Sequence, residues 1–210
     1  MQLKREGIPY IISAPSGTGK STVCQILLDR LANLKISISH TTRAPRPTEA
    51  HGKDYFFVSE EEFKEKIEAN AFLEWAKVHN EYYGTTRHSI EKIQNDGYDV
   101  IIEIDVQGAQ TLRNMSFQGV YIFLLPPSLK ELKNRLTKRS TETEEKIAQR
   151  MAVAKSEITE YENYYYIVTN FEVEDTVCKL SAIMQAEKQK MFRYVPTAPD
   201  LESIINPQDT

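Results

Sequence analysis

The chain has 210 residues, of which 40% are hydrophobic and 27% charged, and its formal net charge is -4. This length suits one domain or one core with small added lobes, and the mild acidic balance argues against a general nucleic-acid or membrane-surface binder. The two cysteines, Cys24 and Cys178, have no metal-binding spacing and indicate no disulfide framework. No apolar run approaches the length of a bilayer span. We therefore expect a cytosolic, cytoplasmic globular protein that binds anions through local basic clusters.

A candidate phosphate-binding loop lies near the start of the chain. The segment 14–21 (APSGTGKS) follows a strand predicted over 10–13 and precedes a helix predicted over 21–34, and it matches the strand–GxxxxGK[ST]–helix pattern with alanine in place of the first glycine. Small residues let successive backbone N–H groups surround an anion. Lys20 can reach the β- and γ-phosphates, and Ser21 can ligate Mg²⁺. The residues assigned to this cradle are Ala14, Pro15, Ser16, Gly17, Thr18, Gly19, Lys20, Ser21 and Thr22.

A second basic segment follows the next predicted strand, at 35–39. The stretch 39–47 is polar and stiffened by prolines, which predicts a loop. Arg43 and Arg46 lie three residues apart in it, and two guanidinium groups can bind one phosphate group bidentately. Composition alone favours a solvated basic loop over such a monophosphate clamp.

Carboxylates occupy unusual positions in two predicted strands. Glu74, in a strand at 72–78, shares a face with apolar side chains. It is either an edge residue that reaches water, which is the commoner case, or an acceptor for the adjacent N–H donors of a base such as guanine. Glu103 and Asp105 end a strand at 100–105. Acids there are either surface residues or ligand and metal contacts, and the neighbouring phosphate loop favours the second interpretation.

The rest of the chain continues the alternation of strands and helices. The polar run at 140–145 predicts an exposed, mobile connection. The other predicted elements are strands at 55–58, 120–125 and 164–169, a helix opened by a capping box at Ser59, helices at 86–95, after Ser128, through 147–158 and at 174–191, a turn at 80–86, and a loosely ordered tail from 195.

From about residue 9 to residue 193 the chain resembles guanylate kinases. The most specific match is 41–58 (TTRAPRPTEAHGKDYFFV), which fits the family signature of Thr-Ser/Thr-Arg, a basic residue three positions on, an acid, Gly and Tyr-x-Phe/Tyr. Many NTPases share a phosphate loop, whereas this order of motifs is typical of one family. Further segments that resemble the family lie at 80–86, 104–109, 125–128 and 141–145.

The resemblance implies an α/β fold. It consists of a P-loop NTPase three-layer core with a mostly parallel sheet, a small mixed α+β nucleotide-acceptor lobe and a mobile helical lid. The implied guanylate-kinase-like domain spans 1–194, with its core over 1–38, 96–134 and 151–194, the GMP-binding lobe over 39–95, the lid over 135–150, and a flexible tail at 195–210.

The implied reaction is transfer of the γ-phosphoryl group of ATP to GMP, in purine nucleotide metabolism, with Mg²⁺ accompanying ATP. ATP and GMP are the implied partners, without nucleic acid or membrane, and the implied assembly is a monomer or homodimer. The implied roles are Ser39, Arg43, Arg46, Tyr55 and Tyr83 for the GMP phosphate; Glu74, Thr85 and Asp105 for guanine; Lys20, Arg43, Arg135, Arg139 and Arg150 for catalysis; Asn170 for the adenine side of ATP; and Ser21, Glu103 and Asp105 for Mg²⁺, partly through water.

Two alternatives stay open from the sequence. One is a related P-loop kinase for another phosphorylated acceptor, such as a ribose bisphosphate, although Glu74, Tyr83 and Asp105 favour a guanine. The other is a non-catalytic guanylate-kinase-like module that binds phosphopeptides. Such modules typically have a degraded phosphate loop, whereas Gly19 and Lys20 are present here.

Overall fold

A five-stranded parallel sheet forms the centre of the fold, and residues 40–86, which lie between two of its strands in the sequence, form a smaller four-stranded sheet. The structure is a computed structural model that describes residues 7–78, 80–139, 143–191 and 193, without the side chains of Lys138 and Arg139. Residues 140–142 of the expected lid and the expected tail at 195–210 lie outside the described residues.

The described elements alternate along the chain as expected. The strands are β1 (Pro9–Ser13), β2 (Leu34–Ile36), β3 (His40–Thr41), β4 (Phe56–Phe57), β5 (Phe72–Val78), β6 (Glu81–Thr86), β7 (Asp99–Glu103), β8 (Val120–Leu125) and β9 (Tyr166–Thr169). The helices are α1 (Lys20–Arg30), α2 (Glu60–Glu68), α3 (Arg87–Asn95), α4 (Val106–Asn114), α5 (Leu129–Arg139), α6 (Glu144–Thr159) and α7 (Val173–Lys188), with a 3-10 turn at Glu160–Asn163.

The strand β1 lies at the centre of the parallel sheet, whose order is β2-β7-β1-β8-β9. All five of its residues are buried, because the two faces of the strand supply two apolar clusters. Tyr10 and Ile12 pack on the side of α1 and α7, whereas Ile11 packs with Ile90 of α3 and Leu112 of α4. Helices therefore cover both faces, and the expected three-layer α/β core is confirmed.

The second sheet corrects two local predictions. Its order is β4-β3-β6-β5, and the predicted turn at 80–86 is wrong, because most of it forms β6 and pairs antiparallel with β5. The tight turn between them is at Asn80, which has φ of 70°. The strand predicted at 35–39 is also wrong in extent: β2 ends at Ile36, and the chain crosses to the second sheet at His40. Pairing with distant strands decides these boundaries, and local composition does not contain it.

The first helix ends earlier than predicted, at Arg30. Leu31 is already extended, with φ of -109° and ψ of 100°, and Leu34 joins β2 opposite Asp99. An apolar residue at position 34 fits the apolar stripe of a helix and the core face of a strand equally well, so the sequence pattern does not distinguish the two elements there. By contrast, the capping box at Ser59 is confirmed by both of its reciprocal hydrogen bonds.

The helices α5 and α6 pack on each other through Leu132, Leu136 and Ala154. This pair covers the phosphate loop, since a Cβ on Gly17 would lie 2.8 Å from Leu136 Cδ2. Among the residues that the structure describes, no helix is both long and apolar enough to cross a membrane.

Candidate active site

The phosphate loop turns between β1 and α1 through two glycines in the left-handed region. Gly17 has φ of 90° and Gly19 has φ of 100°, a conformation that side chains disfavour. A hydrogen bond of 3.2 Å from the Thr18 N–H to the Pro15 carbonyl closes the turn. The helix begins at Lys20 without a side-chain cap, so its first N–H groups are available to bind an anion.

Two of the predicted site residues, Asn170 and Arg135, donate hydrogen bonds to the backbone of this loop. Asn170 is 1% exposed, and its amide donates to the Thr18 carbonyl at 2.8 Å while its Oδ1 accepts from the Thr176 hydroxyl at 2.8 Å. Arg135 donates to the same Thr18 carbonyl at 3.0 Å. A Cβ on Gly19 would lie 2.7 Å from Asn170 Nδ2, so the loop and the amide are in contact. Both side chains therefore support the loop backbone in this conformation.

Lys20 and Ser21 reach the carboxyl end of β7. Lys20 Nζ donates to the Ile104 carbonyl at 2.5 Å, and Ser21 Oγ donates to Glu103 Oε1 at 2.5 Å. Asp105 lies at the start of α4 and caps it by accepting a backbone N–H at 2.7 Å. Hydroxyl and carboxylate oxygens are ligands that Mg²⁺ prefers. The residues expected to hold this ion therefore have suitable chemistry, and they lie at the carboxyl end of β7.

Arg43 and Arg46 share a carboxylate that the sequence interpretation gave no role. Arg43 Nη2 lies 3.0 Å from each oxygen of Glu49, and the backbone N–H of Arg46 donates to Glu49 Oε2 at 2.8 Å. The Arg46 side chain is 73% exposed, and its guanidinium lies 3.7 Å from Glu49. The structure thus fixes Arg43 against Glu49, while Arg46 extends into solvent.

Two tyrosines lie next to this arginine. The rings of Tyr55 and Tyr83 meet edge to face with centroids 6.1 Å apart, and the Arg43 guanidinium carbon lies 5.6 Å from the Tyr55 ring. Burial and then the charge of Glu103 raise the pKa of Tyr55 to about 12. The phenol is therefore protonated at neutral pH and can donate a hydrogen bond to an anion.

Glu74 is buried in the second sheet, with 6% of its surface exposed. It lies opposite Thr85 in the β5–β6 pair, and the Thr85 hydroxyl is 3.0 Å from Ser39 Oγ. A Cβ on Gly108 would lie 2.8 Å from Glu74 Oε2, so the carboxylate points to the start of α4 and to Asp105. This burial rules out the interpretation of Glu74 as an edge residue that reaches water.

The pKa of the Glu74 carboxyl reflects this environment. Burial raises it to about 7, against its usual 4.5, and the charge of Asp105 adds to the effect, whereas the hydrogen bonds with Thr85 oppose it. At neutral pH the group is thus balanced between its two protonation states. A ligand that donates two hydrogen bonds would favour the ionised state.

The expected lid arginines lie near the phosphate loop where the structure describes them. Arg150, on α6, donates to Ser16 Oγ at 2.6 Å. Arg135 contacts the loop carbonyl described above. Arg139 is the last residue of α5, and its side chain lies outside the described part of the structure.

The chain is similar in sequence and structure to known proteins. A family model described as guanylate kinase matches residues 6–187. The chain belongs to the guanylate kinase family. It is 49% identical to a guanylate kinase of Caldanaerobacter subterraneus subsp. tengcongensis, covering 92% of this chain and 94% of that relative, and 45% identical to one of Geobacter sulfurreducens, covering 96% and 100%. The crystal structure of guanylate kinase from Anaplasma phagocytophilum matches with a TM-score of 0.78 and 35% identity, over 98% of this chain and 99% of that one.

Membership of the guanylate kinase family confirms the resemblance inferred from the motifs, and with it the class of phosphotransferase. Sequence reasoning nevertheless missed two residues that hold the site together, namely Glu49 and Thr176. Glu49 could have been found as the acid of the family signature. Thr176 has no comparable signal, because its partner Asn170 is brought to it by folding.

A cavity of about 300 Å³ lies elsewhere, between α2 and the strands β3 and β4. It contains none of the predicted site residues. Its lining residues are His40, His51, Phe56, Val58, Glu62, Glu65 and Lys66.

Proposed function

We propose that this guanylate kinase family member transfers the γ-phosphoryl group of ATP to GMP, giving ADP and GDP. The observation that carries the acceptor assignment is Glu74, a buried carboxylate beside Thr85 and Asp105. A buried carboxylate gains most from a ligand that presents adjacent N–H donors, and N1 and N2 of guanine do so. Adenine and uracil offer no such pair to a carboxylate.

The donor half of the proposed site is the cradle of residues 14–22 with Lys20. Lys20 and the loop amides would bind the donor phosphates, while Asn170 would act on the ATP side by shaping the loop. Mg²⁺ would be held by Ser21, with Glu103 and Asp105 partly through water, and would neutralise charge on the phosphates.

The acceptor half binds the phosphate of GMP through basic and hydroxyl groups. Arg43 must then share its guanidinium between Glu49 and the phosphate, and its five N–H donors are enough for both. The residues proposed for the phosphate are Ser39, Arg43, Arg46, Tyr55 and Tyr83, and those proposed for guanine are Glu74, Thr85 and Asp105.

The acceptor phosphate is already ionised at neutral pH, so the reaction needs no strong general base. Positioning and neutralisation of charge supply most of the acceleration. Arg135, Arg139 and Arg150 close over the transferring group, and an arginine of this kind can contribute roughly a thousandfold in rate. The corresponding division is a core at 1–38, 96–134 and 151–194, an acceptor lobe at 39–95 and a lid at 135–150.

A coupled assay of ADP formation tests this proposal with GMP, dGMP, AMP, UMP and a ribose bisphosphate as acceptors. GMP should give the highest kcat/KM by a wide margin. A preference for the ribose bisphosphate would mean that this compound, and not GMP, is the acceptor. A folded protein without turnover on any acceptor would contradict the proposal and favour a non-catalytic module.

A further inference from the structure

The chain bends at Thr42 and Arg43, directly after the short strand β3. The pairing of β3 with β6 runs antiparallel as far as Thr41 and Tyr83. One position further, the backbone N–H of Thr42 donates to the Tyr82 carbonyl at 3.1 Å. The Tyr82 N–H donates at 2.9 Å to the Thr42 hydroxyl, where a regular antiparallel pair would use the Thr42 carbonyl. The hydroxyl therefore completes the ladder at the point where the backbone bends.

The carboxylate of Glu81 orients this hydroxyl. Thr42 Oγ1 donates to Glu81 Oε2 at 2.7 Å, so its one proton is used and its oxygen remains available to the Tyr82 N–H. A hydrogen bond to a carboxylate is stronger than one between neutral groups, and this one is partly shielded from water. Thr42 thus makes three hydrogen bonds to two consecutive residues of β6.

This connection lies between two residues of the proposed acceptor site. Arg43 follows Thr42 directly, and its backbone N–H donates to the Thr41 hydroxyl at 3.2 Å. Tyr83 follows Tyr82 directly on β6. The bonds between Thr42 and Tyr82 therefore hold the backbone at Arg43 at a fixed separation from the backbone at Tyr83.

We propose that Glu81 is a positioning residue of the acceptor-phosphate site and that it acts through the Thr42 hydroxyl. It keeps this hydroxyl bonded to the Tyr82 N–H, and that bond sets the separation of Arg43 and Tyr83. Neither Glu81 nor Thr42 needs to touch the substrate. The inference rests on the role proposed above for Arg43 and Tyr83 in binding the phosphate of GMP.

Substitutions at Thr42 and Glu81 separate this role from a general structural one. Thr42→Val removes the hydroxyl but keeps the shape of the side chain, and Glu81→Ala removes its acceptor. We expect the KM for GMP to rise about tenfold in the first and about sixfold in the second, with the KM for ATP changed less than about twofold. Thr42→Ser and Glu81→Gln keep the hydroxyl and an acceptor oxygen, so each should stay within about twofold of the wild type. Glu68→Ala, at an exposed acid of α2, is the matched control and should leave both KM values unchanged.

The double variant Thr42→Val/Glu81→Ala tests whether the two groups act as one unit. Its KM for GMP should rise about tenfold, as in Thr42→Val alone, because Glu81 then has no hydroxyl to orient. A rise of about sixtyfold, the product of the two single effects, would overturn the action of Glu81 through Thr42.

Hydrogen exchange of the Tyr82 amide provides a readout that needs no nucleotide. The amide proton should exchange about tenfold faster in Thr42→Val than in the wild type, because its acceptor is gone. Unchanged exchange in this variant would overturn the inference. An equal rise in both KM values without rescue by Thr42→Ser would also overturn it, because that pattern indicates only a structural role.

Arg43→Ala, measured in parallel, distinguishes failure of this inference from failure of the proposed function. Weaker GMP binding in Arg43→Ala, together with wild-type KM values in Thr42→Val and Glu81→Ala, would overturn the positioning role alone. Wild-type GMP affinity in Arg43→Ala would overturn the acceptor-phosphate site, and the positioning role with it.

Discussion

The two halves of the proposed active site are built in different ways. The donor half is one continuous stretch, residues 14–22, whose shape depends on two glycines with positive φ. The acceptor half gathers Ser39, Arg43, Tyr55, Glu74 and Thr85, which the chain spreads over almost fifty positions and the second sheet brings together. In the proposed function, a local motif thus binds what all nucleoside triphosphates share, and a non-local sheet selects the acceptor.

The two halves also differ in the charged groups that they contain. The donor half contains backbone amides and Lys20, whose ammonium group donates a hydrogen bond to the Ile104 carbonyl. The acceptor half instead contains a buried carboxylate, Glu74, and a guanidinium already paired with Glu49. Changes in the donor half should therefore abolish chemistry with any acceptor, whereas changes in the acceptor half should alter selection and pH dependence.

The largest effect is expected at Lys20. Lys20→Ala removes the cation at the transferring phosphates and should lower kcat by about a thousandfold or more, while GMP still binds. Coupled turnover and calorimetric titration with GMP measure the two quantities, with Lys179→Ala on the exposed face of α7 as the control. Turnover near the wild-type rate would remove Lys20 from the donor role.

Glu74→Gln should reduce kcat/KM for GMP by about a hundredfold, because two hydrogen bonds to an ionised acceptor are lost. In the wild type the KM for GMP should rise as pH falls below about 7, since protonation of Glu74 removes the same acceptor. The variant should lose this dependence. A pH profile that is identical in both proteins would contradict the guanine assignment.

The same substitution should stabilise the ligand-free protein. The folded state binds the Glu74 proton more tightly than the unfolded state, with a pKa of about 7 against the usual 4.5. Its contribution to the free energy of unfolding is therefore lost as pH rises through this window. At pH 8, Glu74→Gln should raise the free energy of unfolding by up to about 3 kcal/mol, measured by urea denaturation. A lower free energy of unfolding than in the wild type at pH 8 would contradict the raised pKa of Glu74 in the folded state.

Arg43→Ala should raise the KM for GMP by about thirtyfold and that for ATP far less, because of the two substrates the side chain is proposed to bind only GMP. Arg30→Ala, which removes an exposed arginine of α1 paired with Glu174, is the matched control. Steady-state kinetics with each substrate varied in turn give the comparison. Equal effects on both KM values would remove the distinction between the two halves at this residue.

The smallest effect is expected at Glu49. Glu49→Gln keeps the shape of the side chain but weakens its hold on Arg43 and Arg46, so the KM for GMP should rise by about fivefold. Glu61→Gln, an exposed acid at the start of α2, should have no such effect. A fall in KM for GMP would mean instead that Glu49 competes with the substrate for Arg43.

Some elements of this fold can be predicted from the sequence, and others cannot. The phosphate loop, the strand at 120–125 and the capping box at Ser59 are predicted from neighbours in the chain and are found as predicted. The turn predicted at 80–86 fails because β6 exists only through its pairing with β5. Asn170 was assigned to the adenine side of ATP, and only the fold reveals its contact with Thr18.

The sequence by itself determined the family, the donor motif and the residue types of the acceptor half, because glycine conformations, helix caps and motif order are local properties of the chain. Only the tertiary structure decided that Glu74 is buried beside Asp105, that Glu49 pairs with Arg43, and that Arg150 reaches the Ser16 hydroxyl. Burial and hydrogen-bond partners depend on strands and helices that are distant in sequence, and pairing between distant elements leaves no local pattern.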